Sequence, residues 1–304
     1  MNSSECFIDL HMHSKYSDDG EFTPLELVDL CRQAGIKVMS ITDHNCVKAN
    51  VEAAKEAAKY GIEYISGIEI DCSFQGVNLH ILGYGIAFDS IDFEILEENI
   101  AEQNVLASRE RWRLIRQMGF EVSEAELNAV ASADSRGSVW TGEIFAEVLL
   151  GKPEYFDHQL LKPYRPGGLR SDNPYVNFYW DLCAQGKPCY VELQLPGLEQ
   201  VISIIHKNKG VAVLAHPGLN LAGKFDLLND LVLLGLDGIE ACSSYHNEET
   251  IRELYQWGEE NQLLVTGGSD YHGKTKPAIF LGEYGRFISD KRMEEVLHSF
   301  GLLY

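Results

Sequence analysis

Residues Asp9 to Gly20 read D-L-H-M-H-S-K-Y-S-D-D-G. The short apolar run Cys6 to Leu10 predicts a strand that delivers His11 and His13 at its end. Residues two apart in an extended segment point to the same face, so both imidazoles reach one point. Asp18 and Asp19 follow in a turn closed by Gly20, which brings carboxylate oxygens to the same neighbourhood. An H-x-H pair alone is a weak sign of a metal site. Its meaning depends on whether other strand ends supply further ligands.

Working outward, the chain alternates strands and helices. Thr23-Pro24 opens a helix in which Leu25, Val28 and Cys31 share a face and Gly35 marks the end. Lys37 to Thr42 reads as a strand ending on Asp43-His44, and a helix follows from Val47 to Tyr60. Ile62 to Ile70 (I-E-Y-I-S-G-I-E-I) reads as one strand containing Glu69, and Val77 to Gly83 as another containing His80. The rhythm breaks after about Ala87, and 89–192 reads as an inserted, mostly helical subdomain with a Pro/Gly-rich segment at Lys162 to Pro174. It resumes with a helix at Leu198 to Lys209 and a strand, Val211 to Ala215, ending on His216-Pro217. A helix at Asp226 to Leu234, a strand at Gly238 to Cys242 and a helix at Glu248 to Asn261 follow. Leu263 to Thr266 then runs into G-G-S-D-Y-H, and a last helix spans about Lys291 to Phe300. This pattern predicts an α/β fold with a mostly parallel sheet or barrel, formed by 1–88 and 193–304.

The 304 residues suit one large α/β domain or a domain with a sizeable insertion, and the 45% apolar content supports a substantial core. A net charge of -21 argues against sequence-independent binding of duplex nucleic acid. The seven cysteines are odd in number and scattered, with no C-x-x-C pair, which points to a reducing compartment rather than a disulfide framework. No signal-peptide pattern and no membrane-spanning apolar run are evident, so a cytoplasmic protein is expected.

Six of the ten histidines (His11, His13, His44, His80, His216 and His272) fall in or near predicted strand ends, with Asp18, Glu69 and Asp270 at equivalent places. In parallel α/β folds, functional groups collect at the C-terminal ends of strands. Imidazoles and carboxylates without a cysteine suit Zn, Mn or Fe, and nine candidate ligands suit two or three divalent ions. Adjacent cations activate water and clamp the oxygens of an in-line displacement at phosphorus, which is a phosphoesterase design.

The motifs D-L-H-M-H-S, I-T-D-H, G-I-E-I, L-H-I-L-G, A-H-P-G and G-S-D-Y-H resemble those of the PHP (polymerase and histidinol phosphatase) family, over about 1–88 and 195–285. The resemblance implies a distorted (β/α)7 barrel with metals at its mouth, and a metal set of His11, His13, Asp18, His44, Glu69, His80, His216, Asp270 and His272. Asp18 is preferred over Asp19 because it keeps the family's spacing from His13. The helical insertion makes the chain most similar to the stand-alone members, which include nucleoside 3′,5′-bisphosphate phosphatases, 5′-exonucleases of short RNA and cyclic phosphate dihydrolases.

The expected reaction is hydrolysis of a small, nucleotide-like phosphate ester, with Asp270 or His272 protonating the leaving alcohol. The expected substrate contacts are Lys162, Arg165 and Arg170 in the insertion loop, Arg111, and His246 after the strand bearing Glu240. Asp43 is expected to orient a metal-binding histidine. A cyclic phosphodiesterase is the rival within the class. A C–N amidohydrolase and a metal-stabilised binding module are the rivals outside it.

Overall fold

The computed structural model describes residues 7–133, 139–221, 223–285 and 287–303, so Cys6 at the expected start of the first strand lies outside the described residues. The strands β1 (Ile8–Asp9), β2 (Val38–Met39) and β3 (Glu63–Tyr64) form a parallel sheet in that order. They are connected by α1 (Pro24–Ala34) and α2 (Ala49–Lys59). Thr23 and Glu26 cap α1 reciprocally, Pro24 occupies its first turn, and Gly35 ends it in a left-handed conformation at φ 82°. The buried face of α1 carries Leu27, Val28 and Cys31, whereas Leu25 is exposed, contrary to the expected face.

The stretch expected to be one strand, Ile62 to Ile70, divides between two sheets. Glu63–Tyr64 stays in the first, and β4 (Gly67–Phe74) begins the second by pairing with β5 (Val77–Tyr84) in an antiparallel hairpin. At the crossing, a Cβ on Gly67 would overlap Ser40 Oγ and sit 2.8 Å from Ile41 O, so only glycine lets the two backbones approach this closely.

Between β5 and the next strand lie α3 (Ile91–Gln117), α4 (Glu124–Ala133), α5 (Gly142–Gly151), α6 (Pro174–Phe178) and a π-helical turn, Tyr179–Cys183, with no strand among the described residues. These helices pack around their own apolar cluster, which includes Phe120, Trp140, Phe145, Leu149 and Phe178. Each such large side chain, fully buried, contributes roughly 1.5–3 kcal/mol.

The chain then runs through α7 (Leu198–Lys207), β6 (Val211–Leu214), α8 (Pro217–Asn220), α9 (Leu228–Leu233), β7 (Gly238–Ser243), α10 (Glu248–Glu260), β8 (Leu264–Gly268) and α11 (Asp290–Ser299). The second sheet has the order β4-β5-β6-β7-β8, with β5–β6 antiparallel and β6–β7–β8 parallel. The strands are therefore more mixed in direction than the alternation of elements suggests.

The two sheets meet at the strand ends that carry the histidines. Asp270 N donates to His11 O at 2.8 Å and His13 N to Tyr271 O at 2.9 Å, which joins the end of β1 to the end of β8. Asn45 N donates to Glu69 O at 2.7 Å, joining the end of β2 to β4. Asp9 ties the same corner together, accepting from Ser269 N at 2.9 Å and from Gly282 N at 2.7 Å. Burial holds its carboxyl up at about 6.

At Gly268 an added Cβ would overlap His11 Cβ and lie 2.6 Å from His11 N. Overpacking of this kind typically costs about 1–3 kcal/mol. Gly268→Ala is therefore expected to lower the melting temperature and weaken metal uptake together, because the clash displaces His11 itself. An unaltered melting curve would show that the corner has slack.

The six described cysteines are buried and free. Among the described residues, no helix is long and apolar enough to cross a membrane.

Candidate metal centre

The ends of β1, β2, β6 and β8, together with His80 inside β5, converge on Glu69, which is completely buried. Its Oε1 lies 2.9 Å from His80 Nδ1 and 3.0 Å from His216 Nε2. Its Oε2 lies 3.0 Å from His11 Nε2, 3.1 Å from His13 Nε2 and 3.5 Å from His44 Nδ1. Asp270 Oδ1 closes the same space at 3.3 Å from His11 Nε2 and 3.1 Å from His13 Nε2.

The outer ring nitrogens determine what the inner ones present. His11 Nδ1 donates to Glu240 Oε1 at 2.9 Å, and His216 Nδ1 to Asn220 Oδ1 at 2.7 Å. His272 Nδ1 donates to the Asp270 carbonyl at 2.8 Å. His13 Nδ1 lies 2.8 Å from Ser17 Oγ, which in turn donates to Asp43 Oδ1 at 3.2 Å. With Nδ1 carrying the proton, each Nε2 turns a lone pair inward. These lone pairs face one another, at 3.1 Å between His11 and His13, and face carboxylate oxygens. Asp19 Oδ1, Asp270 Oδ1, His44 Nδ1 and His272 Nε2 are buried without a hydrogen bond. Acceptors crowded against acceptors are repulsive unless a cation lies between them, so the residues fit bound divalent ions.

The carboxylates favour positive charge at this point, which a proton on an imidazole supplies and a divalent ion would replace. Burial opposes charge on His11, yet Glu240, Glu69 and Asp270 outweigh it and hold the imidazole well above its ordinary value. Burial also opposes charge on Glu69, but His11, His44 and His80 keep it ionised. Burial pulls His272 down to about 4, against the pull of Asp19 and with help from His13 and Lys276. A neutral imidazole is the form that ligates a metal.

Among the described residues, three sets of ligand atoms lie close enough to hold an ion: His11, His13, Glu69 and Asp270; His13, Asp19, His44 and His272; and His44, Glu69 and His80. His216 joins through Glu69. The carboxylate of the second set is Asp19, whose Oδ2 lies 3.0 Å from His272 Nε2, and not Asp18. Asp18 instead accepts from Asn104 Nδ2 at 3.0 Å. The turn is tight there: a Cβ on Gly20 would overlap Ser14 O, so the chain doubles back immediately after Asp19.

A cavity of about 160 Å³ opens over the ligands, walled by Asp71, Arg111, Glu143, Tyr179, Trp180 and Lys276 among others. Burial, then Asp19, raises the Glu143 carboxyl to about 7. Arg111 lines the cavity and donates to Trp140 O at 3.0 Å, while its Nε is buried without a partner.

The other expected substrate contacts lie elsewhere. Arg165 donates to the carbonyls of Leu150 and Tyr155, both at 3.1 Å, and Arg170 pairs with Asp181 at 3.0 Å. Lys162 is exposed on a short turn. His246 uses both nitrogens as a brace, with Nδ1 donating to Ala241 O at 2.9 Å and Nε2 accepting from Gly218 N at 3.0 Å. His272 is fully buried and is absent from the cavity wall.

Sequence reasoning passed over Glu240, Asp71 and Lys276. Glu240 is the one carboxylate in β7, a strand buried along its whole length. Asp71 stands two residues beyond Glu69 on β4, and its Oδ1 lies 3.4 Å from His80 Nε2. Of these, Asp71 carried a signal in the chain, its two-residue spacing from Glu69.

A 3′,5′-nucleoside bisphosphate phosphatase of Chromobacterium violaceum is 28% identical over 268 residues, covering 87% of this chain and 87% of that one. A phosphoribosyl 1,2-cyclic phosphate 1,2-diphosphodiesterase of Eggerthella lenta is 29% identical over 273 residues, covering 88% and 94%. A solved structure from Bifidobacterium adolescentis, described as a metal-dependent phosphoesterase, superposes with a TM-score of 0.76 at 25% identity, covering 96% of this chain and 95% of that one. The PHP domain model matches residues 9–170, more than half of the chain. With strand-end histidines and carboxylates gathered at one point, this chain belongs to the PHP domain family.

Proposed function

We propose that the protein is a metal-dependent phosphoesterase that hydrolyses a small, nucleotide-like phosphate ester. The observation that carries this reading is the gathering of five imidazoles and the carboxylate of Asp270 around the buried Glu69, within reach of shared ions. In the same reading the two sheets form a distorted (β/α)7 barrel, and 89–192 is an insertion over its mouth. Two or three ions of Mn, Zn or Fe suit the imidazole-rich sets. When bound, they supply Lewis acidity at the phosphoryl oxygens and activate the attacking water.

The chain's own residues do the rest. Glu240, Asn220 and the Ser17–Asp43 pair hold the histidine rings in one tautomer. Arg111 offers its guanidinium to the substrate phosphate. Tyr179 and Trp180 wall the cavity against water. The proton for the leaving oxygen comes from the Glu143 carboxyl, buried in the cavity wall, in place of Asp270 or His272.

The relatives divide between an acyclic and a cyclic substrate, so the test sets them side by side. Metal-stripped protein is expected to be inactive and to recover with Mn or Zn. Turnover of 3′,5′-bisphosphates and 5′-monophosphates, read as phosphate release, should exceed turnover of 1,2- or 2′,3′-cyclic phosphates, read as the ring-opened monoester plus any phosphate released from it. Preference for the cyclic esters would move the protein to the diphosphodiesterase reading. Activity that survives chelation, or that acts only on amides, would overturn the proposal.

A further inference from the structure

Lys276 belongs to none of the ligand sets, yet it is the only lysine among the described residues on the cavity wall, and it is just 5% exposed. Its position is built in. It follows the tight turn Gly273–Thr275, where Gly273 takes φ 68°. Lys274 N donates to Glu21 Oε2 at 2.6 Å, and Thr275 Oγ1 donates to Asp19 O at 2.8 Å. The turn is thus pinned to the loop that aims Asp19 into the ligand cluster.

The ammonium donates to Asp270 Oδ2 at 2.6 Å, on the opposite oxygen from the one that faces His11 and His13. Its Nζ also lies 5.2 Å from the centre of the Tyr245 ring. A buried ammonium is costly unless its charge and its donors are satisfied. One carboxylate oxygen takes one of three N–H groups, and a ring face attracts the charge without replacing a hydrogen bond. Donor capacity is left over at the cavity.

The wall has a use for it. Six carboxylates line the cavity: Asp18, Asp19, Glu69, Asp71, Glu143 and Asp270. A phosphate entering there meets strong repulsion unless fixed positive charge stands beside the ions, and Arg111 and Lys276 are the cationic side chains available for it. We infer that Lys276 binds a phosphoryl oxygen of the substrate through Nζ, with Asp270 Oδ2 holding the ammonium in place. This rests on the phosphoesterase reading of the site. The competing account is an ion pair that only steadies Asp270.

Calorimetric titration of the metal-loaded protein with inorganic phosphate separates the two. Lys276→Gln keeps a hydrogen-bond donor for Asp270 but loses the charge, and is expected to weaken phosphate binding by roughly tenfold or more. Lys276→Arg keeps the charge and is expected to retain most of the affinity, which also keeps the inference testable if the Gln variant folds poorly. Metal titration without phosphate should be nearly the same in all three proteins, whereas a merely steadying role would move metal affinity and leave phosphate binding alone. A Gln variant that binds phosphate as tightly as wild type, or an Arg variant as weak as Gln, overturns the inference. Wild-type protein that binds phosphate through Lys276 yet cleaves no phosphoester would uphold this contact and remove the phosphoesterase reading.

Discussion

Glu69→Gln is expected to lower kcat by at least ~10³-fold, a loss of about 4 kcal/mol of transition-state stabilisation. The substitution preserves shape, so the loss comes from charge. The Glu69 oxygens reach five histidines, and the residue belongs to two of the three ligand sets. An amide offers one neutral oxygen and turns an NH₂ toward imidazole nitrogens or a cation. Metal analysis should show at least one ion fewer per chain, and circular dichroism should show the fold retained. A variant with full metal content and near-normal turnover would sink the assignment of Glu69 as the shared ligand.

Asp19→Asn is expected to reduce activity by roughly 10²-fold or more, and Asp18→Asn by roughly tenfold or less, on the scale that separates a ligand from a supporting group. The two residues are adjacent and chemically identical, so the contrast tests geometry alone. Asp19 Oδ2 faces His272 Nε2 at 3.0 Å, and its Oδ1 is buried without a hydrogen bond. Burial opposes its charge, but His272, then His44 and His13, hold the carboxyl well below the ordinary carboxylate range. Asp18 meets the neutral side chain of Asn104. Measuring kcat and metal affinity in both variants decides the matter, and a larger loss at Asp18 would restore the choice made from spacing.

Much of the site was legible because its spacing has a direct physical meaning. His11 and His13 stand two apart at a strand end, and they meet at 3.1 Å as the period of two requires. The helix bounds of α1 follow from Thr23, Glu26, Pro24 and Gly35, whose capping acts within a few residues. The expected substrate contacts were not legible, because a charged side chain in a loop does not announce its partner. Arg170 found Asp181, Arg165 found two carbonyls, and His246 found backbone on both sides. Lys276 passed unnoticed since its carboxylate partner and its aromatic neighbour come together only when the turn after β8 packs.

The sequence by itself determined the kinds of ligand, their order along strand ends, and the alternation of elements that brings such ends together. Those features depend on side-chain chemistry and local periodicity. Only the tertiary structure decided that Ile62 to Ile70 serves two sheets, that Asp19 rather than Asp18 turns inward, and that Glu240 and Lys276 support the centre. The sheets part where two backbones approach at Gly67, and Glu240 reaches His11 from a distant strand; such long-range contacts leave no local period in the chain.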